Sequence, residues 1–167
     1  MRYIHPTAII GKGASIGEFA RIGEGASIGG YASIGEGAII GKGASIGEYA
    51  RIGEGAIIGE GAIIGEGATI GGYASIGEGA TIGGYAHIGE GATIGAHASG
   101  AVDIGHADEY RKCLAHVDGV AYIGAGCRWF TLADALTHWS TKRNREDTLA
   151  LLASAVAIAK LRGWTHS

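Results

Sequence analysis

Residues 22–56 read IGEGASIGGYASIGEGAIIGKGASIGEYARIGEGA, a text that repeats itself every six residues with few changes. Outward from it in both directions, isoleucine recurs at every sixth position from Ile4 to Ile94, sixteen times without a gap. Alanine follows each isoleucine four residues later, from Ala8 to Ala98. Every unit therefore holds Ala, one variable residue and Ile in succession, as in ASI, ATI, ARI and AHI. This is strand alternation, with Ala and Ile on one face and the middle residue on the other. Between the short strands stand GEG, GKG, GGY or GEY. There glycine opens backbone geometry closed to other residues, and the polar or aromatic residue faces water. One hexad is one strand and one corner. A helical reading fails, because a period of six does not follow about 3.6 residues per turn and each interior glycine would cost about 1 kcal/mol.

The chain of 167 residues has room for one domain or two small ones. It holds 33 Gly and a single Pro, a bias that suggests low complexity in an unpatterned chain and a repeat architecture in a strictly periodic one. The formal charge is −3, with glutamates spread singly along the repeat and Lys and Arg mixed into the last third. No basic patch is expected to recruit nucleic acid. The first residues, MRYIHPTAII, do not form a charged stretch leading into a long apolar run, and about 18 apolar residues in a row occur nowhere. The expectation is a soluble cytoplasmic protein with no membrane partner. Cys113 and Cys127 lack CxxC spacing, and if VDGV (117–120) is a hairpin turn, Cys113 stands opposite Gly124 rather than Cys127. Both thiols are read as reduced.

With IHPTAIIGKGASIGE at its start, the repeat resembles the hexapeptide-repeat superfamily, to whose acyltransferases this opening is similar. The resemblance covers residues 4–99. It implies a mainly β fold, a left-handed parallel β-helix with three hexads per triangular coil, hence about five coils. At roughly 4.8 Å per strand the prism would be on the order of 25 Å long. Its near-identical units resemble an idealised or engineered version of the family. Coil ends leave unpaired N–H and C=O groups, so the terminal repeats need covers.

After Ser99 the period stops, and residues 100–110 (GAVDIGHADEY) read as a linker between the 1–99 solenoid and a cap over 111–167. KCLAHVDGVAYIGAG predicts two strands around Asp118-Gly119, a pair suited to a tight hairpin turn, and CRWFTL extends the sheet. Thr131 with Asp134 predicts a capping box opening the short helix LADALTHWS. REDTLALLASAVAIAKLRGW predicts a longer helix with Leu149, Leu152, Val156 and Ala159 or Lys160 on its inner face and Gly163 past its end. The stretch DGVAYIGAGCRWFTLADALTHW resembles C-terminal segments of uncharacterised bacterial and phage hexapeptide proteins. Its apolar sheet and helix are expected to cover the last coil.

Seven histidines are the candidates for chemistry: His5, His87, His97, His106, His116, His138 and His166. The family's acyltransferases are typically trimers that use a histidine near a subunit interface to deprotonate an acceptor, and by that resemblance His87 is the candidate catalytic residue. It occupies an outward strand position whose column mates at intervals of eighteen are Ser15, Ser33, Arg51 and Thr69. His97 fills a corner. Against catalysis, the family's enzymes interrupt their coils with loops that shape pockets, and residues 4–99 contain none. The family's zinc sites need two closely spaced histidines, whereas His87, His97 and His106 are ten and nine residues apart, so no metal is expected. GxG occurs by accident of the repeat with no helix after it, so no dinucleotide cofactor is expected. Thr69, Thr81 and Thr93 fall on three faces and form no ladder.

Tyr3, Arg21, Ile39, Ile57, Ser75 and Thr93 share one outward row under the same spacing, and Ile39 beside Ile57 makes an apolar patch. Tyr3, Arg21, Ile39 and Ile57 are the candidate oligomer interface of a homotrimer. Tyr31, Tyr49 and Tyr85 share one corner column. The expected function is a noncatalytic, self-associating β-solenoid scaffold without a cofactor or small-molecule substrate. One alternative is an acyl-CoA-dependent acyltransferase acting through His87. Another is a phage or bacterial structural module whose C-terminal part meets a partner.

Overall fold

The computed structural model describes residues 1–108, 110–125, 128–142 and 145–165. Cys127 and His166, weighed above, lie outside these residues. Sixteen two-residue strands, β1 (Tyr3–Ile4) to β16 (Thr93–Ile94), each consist of the outward residue and the isoleucine of one hexad. Strands eighteen residues apart pair in parallel, Tyr3 with Arg21, Ile39 with Ile57 and Thr69 with His87. Three sheets result, and they are the faces of a left-handed parallel β-helix of about five triangular coils. The inward isoleucines from Ile16 to Ile94 are at most 9% exposed, and they form one continuous core with the alanines between them.

From Gly11 onward each corner is a turn whose third residue has positive φ while its second does not, the pattern of a type II turn. Two glycine positions serve it for different reasons. The third-position glycine, such as Gly37 (φ 65°), supplies the left-handed conformation, and a Cβ there would meet nothing within 4 Å. The first-position glycine has no positive φ, yet a Cβ on Gly47 would lie 2.5 Å from the Glu66 nitrogen and 2.6 Å from the Gly65 carbonyl carbon. Coils pack too closely there for any side chain.

Phe19, Tyr31, Tyr49, Tyr73, Tyr85 and His97 occupy the third position with φ of 54–57°. Non-glycine residues rarely adopt this conformation. The five rings from Tyr31 to His97 lean back along the prism onto the corner one coil earlier. A Cβ on Gly55 or Gly67 would sit 2.6 Å from the ring of Tyr73 or Tyr85, and Tyr49 stacks on Tyr31 at 5.4 Å between ring centres. The Tyr73 and Tyr85 hydroxyls donate to Glu54 (2.6 Å) and Glu66 (2.8 Å), and these hydrogen bonds to carboxylates raise both phenol pKa values.

Residues 100–110, read from sequence as a linker, instead carry most of a nine-residue strand, β17 (Ser99–Ala107). The hexad period fails there, but the chain stays extended, with register shifts between Ser99 and Val102 and between Asp103 and Gly105. Ser99 still pairs with Thr81 of β14 (Thr81–Ile82), and the strand then runs on as the first member of an antiparallel meander. Its other members are β18 (Tyr110–Val117), β19 (Val120–Ala125) and β20 (Arg128–Thr131). Asp118 (φ 49°) and Gly119 (φ 80°) turn the hairpin, and Cys113 stands opposite Gly124 as the spacing predicts. The meander crosses the end of the solenoid. Gly124 lies directly against the Thr93 carbonyl, where a Cβ has no room, and the Trp129 indole lies on Gly95.

Two helices cover the far side of the meander. Helix α1 (Leu132–Ser140) begins at Thr131, whose hydroxyl accepts from the Asp134 N–H at 3.0 Å and donates to the Asp134 carboxylate at 2.7 Å. Helix α2 (Glu146–Leu161) buries Thr148, Leu152, Ala155 and Ala159, while Leu149 and Val156 flank that stripe and Lys160 is exposed. The inner face is thus rotated from the expected one toward Thr148, whose hydroxyl bonds the Asp108 carboxylate. Leu114, Ile123 and Leu132 complete this second core. Removing the α1 cap by Thr131→Ala is expected to cost about 1 kcal/mol. All three tryptophans lie in the C-terminal third, so denaturant titration followed by tryptophan fluorescence reads that loss; an unchanged midpoint would refute it.

Candidate active site at the end of the solenoid

His87 sits in β15 (His87–Ile88), the terminal strand of its sheet. In earlier coils of this face, the residue before the isoleucine and the glycine after it donate to the next coil, Thr69 to the Ala86 carbonyl and Gly71 to the Ile88 carbonyl. His87 and Gly89 hold these positions in β15, but among the described residues no strand pairs beyond it. The reason is the departure of the chain at β17. Gly83, alone among the first-position corner glycines from Gly11 to Gly83, would meet nothing within 4 Å with a Cβ added.

The space so opened is a groove of about 460 Å³. Gly83 to His87 form one wall, Gly100 to Asp103 the other, and Arg162 just past α2 closes one side. The second wall is anchored. Arg162 donates to the Gly100 carbonyl at 2.8 Å and stacks on Trp164, with 5.0 Å from guanidinium carbon to ring centre. Trp164 in turn rests on His116, whose ring nitrogen is hydrogen-bonded to the Ser99 hydroxyl at 2.9 Å. Asp103 accepts from the Gly105 N–H at 2.9 Å, which fixes its carboxylate on the groove wall. The groove thus combines an exposed imidazole, a carboxylate, a guanidinium and an open strand edge.

Of the other histidines, His97 is a corner residue lying over Gly79, and His106 is exposed in β17. His5 bonds Thr7, and His138 packs on Phe130 and Trp139. Tyr3, Arg21, Ile39 and Ile57 do form one exposed row, on a different sheet from His87. Asp103 and Arg162 were missed as groove residues because one fell in the supposed linker and the other at a helix end. The surviving alternation of Val102 and Ile104 within AVDIGHA was the available signal.

Residues 19–54 and 37–72 match the family model "Bacterial transferase hexapeptide (six repeats)". Residues 19–72 of the solenoid are thus hexapeptide repeats of the kind this family model describes. Among solved structures, this chain is similar to GDP-perosamine N-acetyltransferase from Caulobacter crescentus, solved as histidine mutants with CoA and GDP-perosamine. Two such structures align at 29% and 30% identity with TM-scores of 0.57 and 0.56, each over 57% of this chain and 46% of the other. The chain therefore spans less than half the length of these relatives. A hexapeptide transferase family protein from Anaplasma phagocytophilum aligns over 98% of this chain and 93% of its own, at 19% identity and a TM-score of 0.49. No curated protein sequence matches. These comparisons do not support the noncatalytic scaffold and stand closer to the acyltransferase alternative, and the two perosamine enzyme structures hold the kinds of small molecule that the sequence reading did not expect. No helix is long and apolar enough to cross a membrane among the described residues.

Proposed function

We propose that the protein is an acyl-CoA-dependent acyltransferase whose acceptor is an amine or hydroxyl on a sugar nucleotide or a similar polar molecule. The observation that carries this reading is the groove that His87, Asp103 and Arg162 line together beside an open strand edge. Its support from comparison is the similarity to an N-acetyltransferase crystallised with CoA and an amino-sugar nucleotide.

In this reading His87 takes a proton from the acceptor as its nitrogen or oxygen attacks the thioester carbonyl, and the CoA thiolate leaves when the tetrahedral intermediate collapses. Asp103, on the opposite wall, supplies an acceptor that can orient the polar groups of the acceptor molecule. The N–H groups of the β15 edge offer donors to an extended, amide-bearing chain such as the pantetheine arm, in the manner of strand addition. Arg162 supplies positive charge for an anionic substrate group. No loop inserted in the coils is needed, because the diverging strand β17 and the end of α2 build the second wall.

The test is release of free thiol from acetyl-CoA with a panel of amino-sugar nucleotides and simple amines. Acceptor-dependent thiol release is expected. Its absence across the panel, together with no binding of CoA by calorimetry, would sink the reading.

A trimer is also proposed, with the row of Tyr3, Arg21, Ile39 and Ile57 as the contact face. Ile39 and Ile57 are 39% and 47% exposed, and burying each contributes roughly 2 kcal/mol, multiplied by rotational symmetry. Ile39→Lys with Ile57→Lys is expected to convert trimer to monomer with the circular dichroism spectrum unchanged. Light scattering decides: a trimeric double variant assigns the contact to another face, such as the one bearing Ile9 and Ile63.

A further inference from the structure

The third corner positions eighteen residues apart along one edge of the prism hold Gly13, Tyr31, Tyr49, Gly67 and Tyr85. Each ring on this edge lies one coil behind its own residue. The Tyr31 ring lies on Gly13, the Tyr49 ring stacks on Tyr31 with 5.4 Å between centres and 6° between planes, and the Tyr85 ring lies on Gly67. The row of rings therefore misses one member, because Gly67 has no side chain to send back over Tyr49. The rings of Tyr49 and Tyr85 are left two coils apart, roughly 10 Å at about 4.8 Å per coil. One planar ring placed midway falls within the stacking range of about 4.5–7 Å, centre to centre, from both. Tyr49 and Tyr85 are 54% and 76% exposed, so the gap opens to solvent.

The rim of this gap carries an acceptor. Tyr73 and Tyr85 each donate to the glutamate nineteen residues earlier, Glu54 and Glu66. The same register counted from position 67 reaches Glu48, which is exposed and receives no phenol among the described residues. The backbone keeps that register, since the Gly67 N–H donates to the Glu48 carbonyl at 2.8 Å as the Tyr85 N–H does to that of Glu66. A flat ring in the gap thus meets two aromatic faces and one carboxylate. Bases stack on aromatic side chains, and adenine and guanine carry an exocyclic amine whose hydrogens a carboxylate accepts. The gap also adjoins the groove. Tyr85 is part of the groove wall two residues before His87, so the gap lies about two coils, on the order of 10 Å, along the prism from the imidazole.

We propose that the gap between Tyr49 and Tyr85 binds the amino-bearing purine base of a nucleotide, with Glu48 accepting from the exocyclic amine. Binding of the base needs no acyl transfer, so this site stands or falls separately from the function proposed above.

The probes are AMP, GMP and UMP, with ribose 5-phosphate as the control that lacks a base, titrated into the full-length protein by calorimetry. AMP and GMP are expected to bind at least tenfold more tightly than ribose 5-phosphate, and more tightly than UMP, which has no exocyclic amine. Gly67→Tyr fills the gap with the chain's own ring, seated on Tyr49 as Tyr49 is on Tyr31, and is expected to weaken AMP binding at least tenfold while the circular dichroism spectrum is kept. Tyr49→Gly removes one stacking face at a corner position that glycine fills elsewhere, and is expected to weaken it about tenfold. Gly61→Tyr, which adds a ring on another edge at a similar φ of 62°, is expected to leave AMP affinity unchanged. AMP above GMP assigns the site to an adenine nucleotide, and the reverse order assigns it to a guanine nucleotide. Equal affinity for ribose 5-phosphate and AMP, or unchanged AMP affinity in Gly67→Tyr, overturns the site, and equal affinity for UMP overturns the role of Glu48. A change of oligomeric state in Gly67→Tyr, with no nucleotide bound by the wild type, assigns the gap to a contact between copies and overturns the proposal.

Discussion

Replacing His87 by Ala is expected to lower kcat/KM for acetyl transfer by about 10²- to 10⁴-fold, the usual contribution of a positioned general base. The side chain is exposed and outside both cores, so the melting temperature should not move. A structural role would give the opposite signature, lost stability with activity falling in proportion to folded protein. Asp103→Asn provides the second arm. With Asp103 orienting the acceptor molecule, its loss is expected to raise KM for the acceptor more than it lowers kcat. Wild-type rates in His87→Ala would move the chemistry away from the groove and leave β15 as an ordinary edge strand.

Gly47→Ala should destabilise the solenoid by about 3 kcal/mol, near the upper end for overpacking in a well-packed core. The added methyl meets the Glu66 nitrogen at 2.5 Å, and backbone cannot rotate aside as a side chain can. Gly37→Ala is the matched control, because its Cβ meets no atom within 4 Å and the cost is only that of a left-handed alanine, about 1 kcal/mol. Thermal melts by circular dichroism compare the two. Equal losses would show that coils separate easily and that the first corner glycine is chosen for conformation.

That contrast also explains why so much of the fold is legible from residues alone. In the repeat each position answers one demand: Ile and Ala fill the prism, the first glycine admits the next coil, and the third position turns the corner. Eighteen-residue pairing then follows, and Ile39 does lie beside Ile57. The Asp118-Gly119 hairpin and the Thr131 cap were readable for the same reason, since local backbone chemistry decides them. The groove was not, because it exists only where periodicity ends. Its walls join a terminal repeat, a strand that changes partners at Ser99 and a residue past the last helix, and no local rule links His87 to Arg162.

The aromatic corners give the prism a grammar with a direction. A ring at the third corner position reaches backward, so Tyr73 needs Gly55 beneath it, Tyr85 needs Gly67 and His97 needs Gly79, while Tyr49 accepts another ring at Tyr31. Each coil thereby licenses the vocabulary of the one that follows, and not of the one before. Whole coils can be duplicated or deleted in frame only where the new neighbour below an aromatic is glycine or another ring. The corners that look like free surface positions thus record the order in which coils may be joined.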